Sequence, residues 1–456
     1  MIRFFVILGA SGDLTSRYLL PTLAQLNRAG KLPADIKIVG VAQDEWDTSF
    51  FQNHIRQKLS QHVPELAHES RDALIARLDY RKADVTQPDE MKRALASISE
   101  AAVYYLALPP AVFLPAARYT IAAGVPPGSR VVVEKPFGVD LDSTRKLNEL
   151  LHDIFPEQAI FRMDHFLGKQ TVQNILGLRF ANRVFESLWN CQHIDRVEII
   201  WDETLTVEGR VGFYDATGAL RDMVQNHLLQ LLCLVGTEPP PTFDERDLRG
   251  YKVAFLRAVR RLSPDAIRRW TIRGRYSAGR IGSREVPAYT HEAGVDPKRE
   301  TETFAQVTLW VDNWRWAGVP LVLRSGKALR RDRTEIAVHF KPVPHLAFAQ
   351  VDPRMNVLRL ELNPDRMALG ININGLGDPF NLEYIELDVA LAPQDISAYG
   401  RLLLDVLRGD LTLSIRDDEA EEAWRIVEPI LEAWREGQVS LLEYPAGSAG
   451  PTKRND

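Results

Sequence analysis

Phe4-Phe5-Val6-Ile7-Leu8-Gly9-Ala10-Ser11-Gly12-Asp13-Leu14 is the stretch that decides the amino-terminal fold. Five apolar residues in a row suit a strand buried on both faces. Two glycines follow, and Leu19, Leu20, Leu23 and Leu26 then line one face of a helix. A strand that turns on glycine into a helix presents backbone amides to a pyrophosphate. The glycine spacing is not GxGxxG, and on glycine count alone a plain structural turn serves equally well.

Outward from this turn, apolar runs at 36–42, 103–108, 130–133 and 160–163 alternate with amphipathic stretches. That pattern predicts parallel strands joined by crossover helices, a Rossmann-like, doubly wound α/β domain over residues 1–165. Ligands sit beyond the carboxyl ends of such strands, where Gly9, Gln43, Pro109, Lys135 and Asp164 fall. After residue 166 a helical stretch through Asn182 gives way to period-two runs at 197–201, 305–311, 336–340 and 357–362. These predict an α+β second domain over 166–444, with a large, mainly antiparallel sheet covered on one face. Late helices at 399–407 and 417–434 close it, and a polar tail, 445–456, is expected to be disordered.

The chain carries 56 basic against 61 acidic residues in 456, a net charge of -5. With no long like-charge run, this balance argues against nucleic acid and anionic membranes as partners and for a small molecule. No window reaches the roughly 18 apolar residues of a membrane span. The first apolar run is too short for a signal peptide, so a cytoplasmic location is expected. Cys191 and Cys233 lack CxxC spacing and read as reduced core thiols, and no metal is implied.

Two further segments carry chemistry: Arg162-Met163-Asp164-His165-Phe166-Leu167-Gly168-Lys169 and Arg221-Asp222-Met223-Val224-Gln225-Asn226-His227. Each sets a histidine among polar residues near an aspartate, and a histidine steadied by a carboxylate suits proton abstraction near neutral pH. From spacing alone either His165 or His227 could be that base. His227 also interrupts an apolar helix, as a core histidine would. Asp222 and His227 lie five apart, about 140° round a regular α-helix, so they are expected to flank a ligand rather than point at one spot.

Together with the string Gly9-Ala10-Ser11-Gly12-Asp13-Leu14, these segments resemble the glucose-6-phosphate dehydrogenase family over nearly the whole chain. The resemblance implies oxidation of β-D-glucose 6-phosphate to 6-phospho-D-glucono-1,5-lactone with NAD or NADP. This is the entry step of the oxidative pentose phosphate or Entner-Doudoroff route. It implies a nucleotide turn at 9–14, His227 as base and Asp164 as its carboxylate partner. It also implies His165 and Lys169 on the sugar phosphate, and Glu203, Asp222 and Lys327 on the sugar. Lys135, in Glu134-Lys135-Pro136-Phe137-Gly138, stands between sugar and nicotinamide, aimed by a cis bond to Pro136, where the residues alone allow a plain trans turn. If a helix starts at residue 165, His165 and Lys169 share a face at i, i+4 spacing. The family's large sheet implies a homodimer or homotetramer.

Cofactor choice is set where the second strand ends, Val41-Ala42-Gln43-Asp44-Glu45. Many NADP-using members carry arginine where Gln43 stands, and two acids beside it repel a 2′-phosphate, so NAD is the expected preference. The alternative is that Asp44 and Glu45 simply open the next helix. Three positions depart from the family: Tyr18 stands for a lysine, Phe166 for a tyrosine and Asp332 for a cation, unless the register slips and Arg333 restores it. They leave open a family member that takes another hexose or hexose derivative. They also leave open a non-catalytic subunit that binds sugar phosphate without turnover.

Overall fold

A computed structural model describes residues 2–109, 112–348, 353–377, 381–392, 394 and 396–452. The chain divides into two compact units. The first comprises Met1–Lys169, Pro241–Gly250 and Gln394–Glu421, and the second Gln170–Pro240, Tyr251–Pro393 and Glu422–Asp456.

In the first unit β1 (Phe4–Leu8), β2 (Lys37–Ala42), β3 (Leu78–Lys82), β4 (Ala102–Leu106), β5 (Arg130–Glu134) and β6 (Ile160–Met163) form one six-stranded sheet. Its order is β3-β2-β1-β4-β5-β6, every pair is parallel, and Val6 at the centre pairs with Val39 and Tyr104. β1 and β4 are buried throughout, which is why they read as unbroken apolar runs. β3 was not among the expected strands. It is an edge strand, Leu-Asp-Tyr-Arg-Lys, that buries only Leu78 and Tyr80, and so shows no continuous apolar run.

A single domain boundary near residue 165 is too simple, because 394–421 returns to the first unit. Arg130 of β5 donates to the carbonyls of Val406 and Leu407 at 2.5 and 2.8 Å, at the end of the helix Ala398–Arg408. Ile415 N–H bonds Arg162 O of β6 at 3.0 Å.

The second unit holds β7 (Ile194–Asp202), β8 (Thr271–Ser277), β9 (Gly279–Ile281), β10 (Arg284–Val286), β11 (Phe304–Leu309), β12 (Leu321–Gly326), β13 (Arg333–Phe340), β14 (Val357–Leu362), β15 (Asp365–Asn374), β16 (Leu382–Ala390) and β17 (Leu441–Pro445). Nine of them make a sheet in the order β16-β15-β14-β13-β7-β12-β11-β8-β17, with β9 and β10 as a separate hairpin. Pairing is antiparallel except at β7–β12 and β8–β17.

The expected disordered tail is ordered through residue 452. Tyr444 is fully buried, and Ala446 and Gly447 donate backbone bonds to Ser277 O at 3.1 Å and Ala328 O at 2.8 Å. Small residues there let the backbone itself become the partner. Residues 453–456 of that expected tail lie outside the described ones. Among the described residues no helix is long and apolar enough to cross a membrane.

Candidate active site

The first unit gathers candidates at the carboxyl ends of its strands. Gly9 has φ +92°, and a Cβ there would stand 2.2 Å from the carbonyl oxygen of Ala107, so the turn demands glycine. Its own carbonyl is held by Gly12 N–H and the Thr15 hydroxyl, each at 3.1 Å. A helix starts at Asp13 and widens over Thr15–Leu19 into i→i+5 (π) hydrogen bonding. A glycine turn closed onto a helix start is a cradle that fits a dinucleotide pyrophosphate.

At the end of β2, the next helix, Thr48–His62, is capped by Asp47, whose carboxylate accepts Phe50 N–H at 2.7 Å. Asp44 and Glu45 therefore do not open that helix. They stand in the preceding bend, fixed by the Tyr80 hydroxyl near the carbonyls of Ala42 (3.2 Å) and Asp44 (2.9 Å), and Glu45 pairs with Lys82. Burial, then Asp44 and Glu45, push the Tyr80 hydroxyl up to about 12.

Beyond β5 the Lys135–Pro136 bond is cis. Beyond β6 Asp164 is fully buried and accepts Phe166 N–H at 2.9 Å. Its strand is anchored by the buried guanidinium of Arg162 on Asn148 (2.9 Å) and Glu157 (3.0 Å). The expected helix from 165 is instead a 3₁₀ turn, His165–Gly168, after which Lys169 is extended. Asp164 starts this turn by capping it, and the tighter winding removes the i, i+4 register. Both candidates still border one ring: His165 meets Phe166 edge-on at 5.0 Å, and the Lys169 ammonium lies 5.3 Å from its centroid.

Three residues here, Tyr399, Tyr105 and Glu134, are not among the expected site residues. The His165 ring stacks on Tyr399 at 5.5 Å and 11°, and Tyr18 stacks on the same tyrosine at 5.3 Å. Tyr399 and Tyr105 both hydrogen-bond the buried carboxyl of Glu134, which burial above all pushes up to about 7.

In the second unit β7 and β12 run parallel with Asp202 opposite Gly326, so Glu203 and Lys327 leave two adjacent strand ends together. Their side chains pair at 2.7 Å, and the ammonium lies 5.4 Å from the ring of Tyr214. Asp332 accepts Thr204 N–H at 2.6 Å and the Thr204 hydroxyl at 2.9 Å, while Arg333 pairs with Glu335 at 2.5 Å.

Asp222 and His227 lie on a π-helix, Leu220–Leu228. The expectation that they diverge assumed a regular α-helix. With i→i+5 bonding, residues five apart come round to one face. His227 is buried, and its N–H is taken by Asn226 Oδ1 at 2.6 Å, whose amide group in turn donates to Arg221 O at 2.9 Å. Asp222 adds to the burial that holds the Tyr214 phenol well above its ordinary value. Asp222, Glu203 and Lys327 thus surround one buried tyrosine.

Residues 6–174 match the model of the glucose-6-phosphate dehydrogenase NAD-binding domain, and residues 176–456 that of the same enzyme's C-terminal domain. This chain belongs to the glucose-6-phosphate dehydrogenase family. Glucose-6-phosphate 1-dehydrogenase of Gluconobacter oxydans is 40% identical over 98% of this chain and 94% of its own length. The enzyme of Zymomonas mobilis is 37% identical over 99% and 96%. Among solved structures, the Mycobacterium avium enzyme superposes with a TM-score of 0.87 at 35% identity, covering 99% of this chain and 95% of its own. A family structure in complex with glucose 6-phosphate gives 0.89 at 30% identity, over 98% and 95%.

Proposed function

We propose that this chain oxidises C1 of β-D-glucose 6-phosphate to 6-phospho-D-glucono-1,5-lactone, with His227 as the base. The observation that carries this reading is the π-helical turn, which sets Asp222 and His227 on one face in a chain related to such dehydrogenases along its full length. His227 takes the C1 hydroxyl proton, and Asp164 is assigned as the carboxylate that steadies the imidazolium. Glu203, Asp222 and Lys327 accept or donate to the sugar hydroxyls, His165 and Lys169 take the phosphate, and Lys135 serves near C1. The nicotinamide cofactor, when bound at the 9–14 turn, supplies the hydride acceptor. The side chains bind, orient and exclude water.

NAD is the preferred cofactor in this reading. Gln43 and Asp44 follow β2 with no arginine among them, and Lys82 is already engaged by Glu45. Because Asp332 is spent on Thr204, it no longer argues for a remade phosphate pocket. A homodimer or homotetramer forms through the large sheet, whose edge strand β16 leaves Leu387 and Val389 about half exposed. Cys191 and Cys233 are not joined in a disulfide, which suits a cytoplasmic setting.

The test is the initial rate of nicotinamide reduction with glucose 6-phosphate and with glucose, each with NAD and NADP. Rapid turnover of the phosphate with the better rate in NAD is expected. Silence with the phosphate alongside turnover of free glucose would overturn the substrate, and a better rate with NADP would overturn the cofactor preference.

A further inference from the structure

We infer that Glu302 is a positioning residue for this reaction. From the segment Thr301-Glu302-Thr303 it fixes the start of the π-helix that carries Asp222 and His227, next to the strand end that carries Lys327. The inference rests on the reading of His227 as base.

The first amides of a helix have no partner within it. Here Glu302 takes two in succession. Its carbonyl accepts Ala219 N–H at 3.1 Å, and its carboxylate accepts Leu220 N–H at 3.0 Å. The approach is so close that the preceding residue must be glycine. Gly218 has φ +72°, and a Cβ there would stand 2.4 Å from one carboxylate oxygen of Glu302 and 2.8 Å from the other.

The neighbours of Glu302 extend the clamp. The Thr301 hydroxyl donates to Asp215 O at 2.7 Å, tying the segment to the helix before Gly218. Thr303 O accepts Lys327 N–H at 2.9 Å. The Thr303 hydroxyl meets the Tyr444 hydroxyl at 2.8 Å, and Tyr444 in turn donates to Lys327 O at 2.7 Å. Three consecutive residues before β11 thus grip both segments assigned to the sugar.

A buried carboxyl is costly unless it is paired, so packing alone does not account for a glutamate here. Burial raises its proton affinity, and the Leu220 amide, Arg221 and Arg273 oppose that rise. Burial outweighs these three partners, but each of them favours the anion where the helix start needs an acceptor.

The test compares Glu302→Ala, Glu302→Asp and Glu302→Gln in the full chain by steady-state kinetics and the pH profile of kcat/KM. Gln keeps an oxygen in reach of Leu220, whereas Asp keeps the charge but loses the reach. Misplacing a catalytic group by about 1 Å costs up to about 100-fold. Ala and Asp should therefore lower kcat by roughly 10- to 100-fold and move the acidic limb of the profile, with the cofactor KM unchanged. Gln should restore most of the rate. Folded Asp and Gln variants with the parental kcat and the parental limb would overturn the role, and so would a Gln variant as slow as Asp. If Ala does not fold, the Asp and Gln pair decides alone. His227→Asn, measured alongside, separates the two ideas. Near-complete loss there with an unaltered Glu302→Asp overturns the Glu302 role alone. Undiminished turnover there overturns the base assignment and this role with it.

Discussion

Glu134 and Glu302 are both buried carboxyls standing behind residues assigned to the reaction, one in each unit, and burial raises the proton affinity of both. They differ in what fills their lone pairs. Glu134 is met by the hydroxyls of Tyr105 and Tyr399, and the carboxylate of Asp164 adds to the rise. Glu302 is met by a backbone amide within the field of Arg221 and Arg273, all of which favour the anion. The same residue type at the same burial is met by two phenol hydroxyls in one unit and by a backbone amide and two guanidiniums in the other. The first holds a tyrosine on which His165 lies, so its loss should be felt in sugar-phosphate binding. The second holds the helix of His227, so its loss should be felt in turnover.

The largest effect is expected where backbone and carboxylate must both move. Gly218→Ala puts a side chain at positive φ and drives it into Glu302. Strain of this kind is worth about 1–3 kcal/mol, and the displaced helix start should lower kcat by more than about tenfold. Thermal unfolding and steady-state rates check both. A variant with the parental melting temperature and kcat would break the claim that the second anchor is rigid.

Glu134→Gln tests the other side through pH. Between the ordinary carboxyl value of 4.5 and about 7, native Glu134 holds a proton that the unfolded chain has released. The native state therefore binds more protons in that window, and its stability falls as pH rises through it, by at most about 3 kcal/mol. Gln keeps an acceptor for both tyrosines and does not titrate. The melting temperature of Glu134→Gln relative to the parent should rise from about pH 5 to about pH 8, with the change centred below 7. A pH-independent difference would mean that Glu134 does not titrate in this window.

The two sheets show how much of this was legible beforehand. β1, β4, β5 and β6 announce themselves because both faces are buried, whereas β3 hides because an edge strand alternates. The strings that hold Asp164, His165, Asp222 and His227 were readable as segments. Their local geometry was not, since no composition signal distinguishes a π- or 3₁₀ turn from an α-helix over so few residues. Tyr399, Glu134 and Glu302 owe their roles to partners far away in sequence, such as Leu220 lying 82 residues from Glu302. The stretch from residue 445 misled for the same reason: its residues are small and polar, yet Ala446 and Gly447 bond the distant carbonyls of Ser277 and Ala328.

The smallest effect sharpens the first unit's side of the comparison. The Phe166 ring is 4% exposed and lies between the His165 edge and the Lys169 ammonium, so the position is a packed wall of the phosphate candidates and lacks a donor. Phe166→Tyr keeps the ring and adds one hydroxyl. A net hydrogen bond is worth about 1 kcal/mol, which corresponds to a KM for glucose 6-phosphate lowered about fivefold with kcat unchanged. Free glucose has no phosphate for that hydroxyl to meet, so its KM should not move. An equal fall for both sugars would place residue 166 on the ring of the sugar rather than on the phosphate. Repeating the change on Glu134→Gln then asks whether the tyrosine beneath His165 matters to the same contact. If it does, the gain from Phe166→Tyr shrinks when the anchor is altered, because the His165 ring that meets Phe166 also rests on the tyrosine held by Glu134.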